Sequence, residues 1–523
     1  MKSWRLFVVS FCALAFLILC FPAAPAIAED DDEVEQVPRE DINNAVKKGV
    51  EYLRTMQKAD GSWDRDDAPF KIQGDFSEGV TALCVYAMIK CGVEPNDPAI
   101  QKGFTFIKSK GFRTVYSVSC YILALEALYT APNFGKKKPK KDKKDDKDKL
   151  ATSVDEADEE PNDDGFKKMT PTDLSSFQAA INWLIAKQDK NVWRYPLPGG
   201  EPQAGGDGAI ASEDASNSQY VNLAFSAARR LNHTVGRQVI VIPVTVFTKI
   251  ADYYITKQQE DGPVVDKFVC PAADKSFKEL AKFEKEFLKE RQKLQKEEEK
   301  QKLPKGDLTT GVDQAAHEEI FGGEGNPMKS RGWCYMLGSK IDWRSAYDGS
   351  MTASGVISLI VTKAWLEDLN AYEPYKQKCD QAIRDGCAFL AHNFSVTSNP
   401  IAKGSKRPNH HYYYLYGLER VGMLGMLLNI GKHDWFVEGS KYILGAQAAG
   451  GSWDAGANGT VGPVCDTCFA LLFLKRATQP LVKVPKEIYT GDYMRGKKAD
   501  GGKKAGGDEK EKPKAPEEPE PGE

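Results

Sequence analysis

The sequence predicts an all-α fold, an α/α toroid or α6/α6 barrel in which six outer and six inner helices alternate along the chain and close into a ring. Three observations lead there. First, Gly49, Tyr52, Gln57, Gly61, Ser62 and Trp63 recur at identical spacing as Gly439, Tyr442, Gln447, Gly451, Ser452 and Trp453, and such internal repeats mark arrays of one supersecondary unit. Second, four weaker copies between these ends keep the register. Third, each copy is followed by a segment apolar nearly all round, and a helix apolar on every face is buried on every face.

The outer helices are read from the residues 11, 8, 5 and 4 positions before the repeated Gln. In chain order these are Val46, Gly49, Tyr52, Leu53; Ile100, Gly103, Phe106, Ile107; Phe177, Ala180, Trp183, Leu184; Phe247, Ile250, Tyr253, Tyr254; Ile383, Gly386, Phe389, Leu390; and Phe436, Gly439, Tyr442, Ile443. Steps of three and four place each set on one helical stripe. A small residue at the second position lets a neighbouring chain approach. The inner segments run Gly79 to Cys91, Val115 to Leu128, Ser218 to Ala228, Met351 to Trp365, His411 to Leu428 and Val464 to Leu474. A closed ring is expected over an open solenoid, because a solenoid needs atypical capping repeats at its ends and the terminal units here are the best formed.

The rest of the chain divides around this domain, taken as residues 42–477. Lys2 and Arg5 precede the apolar run Leu6 to Phe21, and Ala26-Ile27-Ala28 supplies small residues at a cleavage site, so residues 1–28 read as an export signal peptide cut after Ala28. The protein is then expected in a periplasmic or extracellular space, with an uncleaved N-terminal membrane anchor as the alternative. Insertions, disordered or helical, fall at about 134–170, 196–215 and 264–331. The first carries a lysine-rich stretch, Lys136 to Lys149, and an acidic one, Asp155 to Asp164; the second is Gly-rich from Gly199 to Gly208. In the third, Phe277, Leu280, Phe283, Phe287 and Leu294 form a narrow coiled-coil-like seam on a charged helix, suited to docking on the ring or on a partner. The same insertion separates Gln258 and Gly262 from Gly332-Trp333, which resumes the interrupted turn. Residues 494–523 read as a disordered charged tail.

Totals exclude some classes. A net charge of −3 gives no basic surface for nucleic acid. Of the 11 cysteines, Cys12 and Cys20 lie in the signal, and the odd remainder falls largely in apolar helical stretches, so no disulfide framework is implied.

Gln57-x-x-x-Gly61-Ser62-Trp63 and Gln447-x-x-x-Gly451-Ser452-Trp453 resemble the QW motif of the squalene-hopene and oxidosqualene cyclases, the prenyltransferase and squalene oxidase repeat, whose toroid is shared with protein prenyltransferase β subunits. The resemblance implies a structural role for Gln57, Gly61, Trp63, Gln447, Gly451 and Trp453: the amide ties helix ends and the indole buries a large surface. In hopene-type cyclases an Asp-x-Asp-Asp motif at the start of an inner helix protonates an alkene. Asp64-Arg65-Asp66-Asp67 matches the string but runs into Ala68-Pro69, and at the expected place the sixth unit keeps only Asp466-Thr467. Asp466 is thus the one candidate catalytic acid.

The segment Asp466-Thr467-Cys468-Phe469 also resembles the Asp-x-Cys-aromatic zinc ligands of protein prenyltransferases, with His411 or its neighbour His410 as the nitrogen donor. The alternative is an Asp466 that caps its helix beside a core Cys468. No cofactor is otherwise expected.

The fifth inner helix, His411-Tyr412-Tyr413-Tyr414-Leu415-Tyr416-Gly417-Leu418-Glu419-Arg420, presents an aromatic, hydrogen-bonding wall. It suits a polyprenyl chain, a steroid-like ring system or a sugar, or else it is interior packing with Glu419 and Arg420 capping the helix end. Trp333, Tyr335, Trp343 and Asp348 are its expected companions on the cavity rim. The functional expectation is an exported terpenoid-cyclase-like toroid that binds an apolar or amphipathic ligand in its central cavity. An enzymatic version resembles a cyclase-type isomerase more than a zinc prenyltransferase. The alternatives are a non-catalytic protein-binding scaffold and a carbohydrate-active barrel, the last requiring opposed carboxylates such as Asp348 with Glu419 or Asp466.

Overall fold

The chain is all-α. A computed structural model describes residues 37–64, 76–132, 134, 162–194, 214–303, 308–335, 345–401, 410–456 and 461–482. Residues 1–28, expected to be a signal peptide, Arg65-Asp66-Asp67, the lysine-rich stretch, Gly199 to Gly208, Trp343 and the tail 494–523 lie outside the described residues. In chain order the helices are α1 (Arg39–Met56), α2 (Ser77–Lys90), α3 (Pro98–Lys110), α4 (Val115–Thr130), α5 (Pro171–Ala186), α6 (Ala215–Val235), α7 (Val244–Lys257), α8 (Pro271–Asp274), α9 (Phe277–Gln301), α10 (Thr310–Phe321), α11 (Gly349–Leu366), α12 (Lys376–His392), α13 (His411–Gly425), α14 (Trp435–Gly445) and α15 (Gly462–Leu474). Their starts are written locally. Asp97, Thr114, Thr170, Asp214, Asp348 and Asp434 each accept a first-turn amide, satisfying donors that the helix itself cannot.

Helices α2, α4, α6, α11, α13 and α15 are buried along nearly their whole length. Each packs against the next in that order, and α15 returns to pack against α2. The amphipathic helices lie against these: α3 on α2, α5 on α4, α7 and α12 on α11, α14 on α13 and α15, and α1 on α15. The small residues expected on the outer helices sit where large groups cross them. A Cβ on Gly49 would lie 2.8 Å from the Trp453 ring, and one on Gly439 would lie 2.3 Å from that of Phe473.

The Gln and Trp of the repeat tie successive units together. Gln57 Nε2 donates to the Gly61 carbonyl at 3.0 Å within its own turn and to Ala99 O of α3 at 2.9 Å. Gln447 repeats this with Gly451 O at 3.0 Å and Ala45 O of α1 at 2.9 Å, so the last unit bonds the first. Gly61 and Gly451 have φ of +89° and +90°, and a Cβ there would meet the Lys102 and Lys48 carbonyls at 2.7 and 2.3 Å; only glycine fits both constraints. Trp63 and Trp453 are fully buried, donating Nε1–H to Leu53 O and Ile443 O, while their backbone amides donate to Thr81 and Thr467 at 3.0 Å.

The third insertion interrupts one such turn, as the spacing predicts. Gln258 Nε2 donates to Arg331 O at 3.0 Å and to Ala382 O of α12 at 2.9 Å, and Trp333 Nε1 donates to Tyr254 O at 2.8 Å. A short antiparallel pair, β1 (Val264–Val265) with β2 (Met328–Lys329), pins the ends of the loop, and β3 (Trp333–Cys334) pairs with β4 (Tyr347–Asp348) beyond it. A fourth device keeps the Gln register of the third copy, but its Trp went unread because the turn is one residue shorter: Gln188 bonds Asn191 O and Val246 O of α7, and Trp193 bonds Leu184 O.

Of the two docking targets expected for the seam, its first residues meet the main core and the next ones a neighbouring helix of the same insertion. Phe277 and Leu280 belong to the main core, while Phe283 and Phe287 pack with Val312, Ala316 and Phe321 of α10 in a separate helical hairpin. Glu367 fixes the start of α9 by accepting the Phe277 and Lys278 amides, both at 3.0 Å. The first insertion, expected to be disordered or helical, ends in a 3₁₀ turn at Asp163–Lys168 with Phe166 buried.

Candidate functional site

Helix α13 carries the site. Tyr413, Tyr416 and Arg420 lie three and four residues apart, so they share one stripe, and that stripe meets helices which are not neighbours of α13 in the packing order. Tyr413 donates its hydroxyl to Gln219 Oε1 of α6 at 2.7 Å and faces the Tyr116 hydroxyl of α4 at 3.5 Å. The Tyr416 hydroxyl bonds that of Tyr86 on α2 at 3.3 Å. Side chains therefore bridge the space between α2, α4, α6 and α13.

Arg420 lies at the inner end of this cluster. Its guanidinium carbon is 3.6 Å from the Tyr416 ring centroid and 4.7 Å from that of Tyr220, and Nη2 donates to the Tyr220 hydroxyl at 3.0 Å. Tyr220 in turn stacks on Tyr413, with ring centroids 6.3 Å apart, and touches Tyr116 at 4.7 Å. Burial pushes the phenols of Tyr86 and Tyr220 well above their ordinary value. It pushes Tyr416 up to about 12, against the opposing pull of Arg420. The phenols are thus neutral donors and acceptors, and a guanidinium on their faces gains cation–π attraction. Arg420 Nε and Nη1, Gln219 Nε2 and both side-chain polar atoms of Asn217 have no hydrogen-bond partner, and all three residues are fully buried.

The sequence offered Arg420 either as part of the hydrogen-bonding wall or as a helix-end cap, and did not name its partners Tyr220, Gln219, Tyr116 and Tyr86. One signal was available: charged and amide residues inside segments that are otherwise apolar all round.

The other predicted residues have structural partners. Asp466 is no N-cap; Val461 holds that position, and Asp466, in the second turn of α15, accepts the Ala455 amide at 3.0 Å. Asp348 caps α11 by accepting from the Met351 amide at 2.9 Å and the Ser350 hydroxyl at 2.7 Å. Tyr335 donates to Asp214, the cap of α6, at 2.5 Å, and Trp333 is the buried Trp of the interrupted turn, so neither is a free rim group. Tyr414 is fully buried against Gly349 of α11. Tyr412 lies beside the His411 ring at 5.2 Å, and the His410 ring stands edge-on to Tyr413 at 6.4 Å.

Glu419 takes its hydrogen bonds from Thr478. It accepts the Thr478 amide at 2.9 Å and the Thr478 hydroxyl at 2.7 Å. Burial raises its carboxyl to about 7, with the Thr478 bonds opposing the rise. The opposed carboxylates of a glycosidase are not assembled by Asp348, Glu419 and Asp466, since each turns to its own backbone partner.

The zinc set is not assembled either. His411 Nε2 lies 2.8 Å from Val396 O, with Nδ1 3.4 Å from the Tyr442 hydroxyl, and burial lowers its pKa. Cys468 Sγ faces Cys84 Sγ at 3.6 Å, and burial pushes both thiols up. Among the described residues no group of three or more His, Cys, Asp or Glu side chains is placed to hold a metal. Nor is any described helix long and apolar enough to cross a membrane.

In comparisons with known proteins, no family model matches the chain and no curated protein matches it.

Proposed function

We propose that the chain is an exported α/α toroid, similar in architecture to the squalene-cyclase and prenyltransferase repeat proteins, that binds an amphipathic small molecule among its inner helices. The cyclic packing order of the six inner helices and the Gln447 bond to Ala45 support the toroid. The observation that carries the binding reading is the aromatic column of Tyr116, Tyr413, Tyr220 and Tyr416, contributed by three helices and ending on Arg420. Aromatic walls with a few convergent polar groups are the usual composition of a small-molecule site. Export rests on the N-terminal pattern of residues 1–28, and recovery of the chain lacking those residues from the extracytoplasmic fraction is its test.

Binding is favoured over cyclisation. A carboxylic acid that protonates an alkene must be held neutral and aimed at substrate, whereas Asp466 is engaged with a backbone amide of the adjoining loop. The test is incubation of purified protein with squalene, farnesol and a medium-chain alcohol, followed by native mass spectrometry and product analysis. The expected result is a retained ligand with no new product. Conversion that disappears in Asp466→Asn would instead establish the cyclase, and absence of any bound ligand would remove the binding reading.

A further inference from the structure

Arg420 presents a buried charge that no carboxylate among the described residues bonds. A guanidinium stays protonated in proteins, this one is fully buried, and no carboxylate lies within ion-pair distance of it among the described residues. Its sequence neighbour Glu419 is held by Thr478, and Glu126, on the adjoining α4, pairs with Arg230. The groups that interact with it electrostatically are the phenols of Tyr220, Tyr413 and Tyr416, the thiol of Cys120 and, through space, the carboxyl of Glu419. A buried charge is ordinarily paired, because desolvating it alone is strongly unfavourable.

Several buried donors are left over on the same face. Stacking on Tyr416 occupies a face of the guanidinium and leaves its edges, where Nε and Nη1 lack partners. Gln219 carries a further unpartnered amide donor, placed 3.8 Å from where a Cβ on Gly417 would stand, one turn before Arg420 on α13. Planar, edge-directed donors match a carboxylate. One cation balances one negative charge, which favours a monoanionic carboxylate over a dianionic phosphate.

We infer that Arg420, with Gln219 beside it, receives the carboxylate head of an amphipathic acid whose apolar body lies along Tyr220, Tyr413 and Tyr116 toward the start of α4 and α13. The inference rests on the toroid-binding reading and adds the chemical class of the ligand. The Tyr116 and Tyr413 hydroxyls, 3.5 Å apart in the first turns of their helices, stand across this route.

The test uses the full chain and three probes of equal length: decanoate, decyl phosphate and decanol, compared by isothermal titration at pH 7.5. Charge-assisted hydrogen bonds predict decanoate binding about tenfold tighter than decanol or more, and Arg420→Met is expected to bring that ratio to about one. Equal binding of decanoate and decanol by the wild-type protein overturns the carboxylate assignment and leaves the binding reading standing; binding of neither ends both. Tighter binding of decyl phosphate also overturns it. An undiminished decanoate preference in folded Arg420→Met does the same. If Arg420→Met does not fold, the wild-type ratio alone decides.

Discussion

At the scale of single residues, Glu419 makes stability depend on pH. Burial raises its carboxyl from an ordinary 4.5 to about 7, so between these values the native state holds a proton that the unfolded state has released. Stability therefore falls as pH rises through this window, by at most about 3 kcal/mol. Glu419→Gln keeps an acceptor for Thr478 and removes the titration. Urea unfolding of wild type and variant at pH 5 and pH 8 should show the variant gaining on the wild type at the higher pH; a constant difference would exclude the linkage. Close packing makes Gly439 equally specific. Gly439→Ala drives a methyl to 2.3 Å from the Phe473 ring, and overpacking of this kind costs about 1–3 kcal/mol, readable as a lowered urea midpoint.

At the scale of elements, α9 joins the main core through Phe277 and Leu280, while its distal part packs with α10 around a small cluster of its own. Its members are Phe287 and Ala316 with the half-buried Phe283, Leu288, Val312 and Phe321, reinforced by Arg291 with Asp313 at 3.0 Å and by Glu298 accepting the Leu308 and Thr309 amides. Phe287→Ala is expected to remove about 3–5 kcal/mol of local stability. Because this small core does not merge with the larger one, hydrogen exchange should accelerate in α10 and the distal half of α9 while α11 and α13 stay protected. Exchange that accelerates throughout would show the hairpin to be integral to the main core.

At the scale of the whole molecule, the last repeat is tied to the first across 402 residues by the bond from Gln447 to Ala45. Gln447→Leu removes two hydrogen bonds and leaves the Ala45 and Gly451 carbonyls without those donors; at about 1 kcal/mol per bond the loss is about 2 kcal/mol. Cys84 on α2 and Cys468 on α15 report on the same junction. Both thiols are fully buried and pushed up in pKa, so the thiolate that reacts is scarce. Iodoacetamide at pH 8 should leave both unmodified in the native wild type by mass spectrometry, with faster labelling in Gln447→Leu. Rapid labelling of the native wild type would contradict the closed junction.

The sequence by itself determined what is local or repeated. Stripes at steps of three and four marked α1, α3, α5, α7, α12 and α14, apolar runs marked the buried helices, and the spacing from Gln258 to Trp333 marked an interrupted turn. These features are legible because helical periodicity and turn chemistry act over a few residues. Only the tertiary structure decided the site. The bonds from Tyr413 to Gln219, Arg420 to Tyr220 and Tyr416 to Tyr86 join residues 194, 200 and 330 positions apart, and no local pattern encodes which stripe of one inner helix meets which stripe of another. Asp466 shows the converse: read alone it promised an acid, a cap or a ligand, and its role was set by the Ala455 amide that the folded loop brings to it.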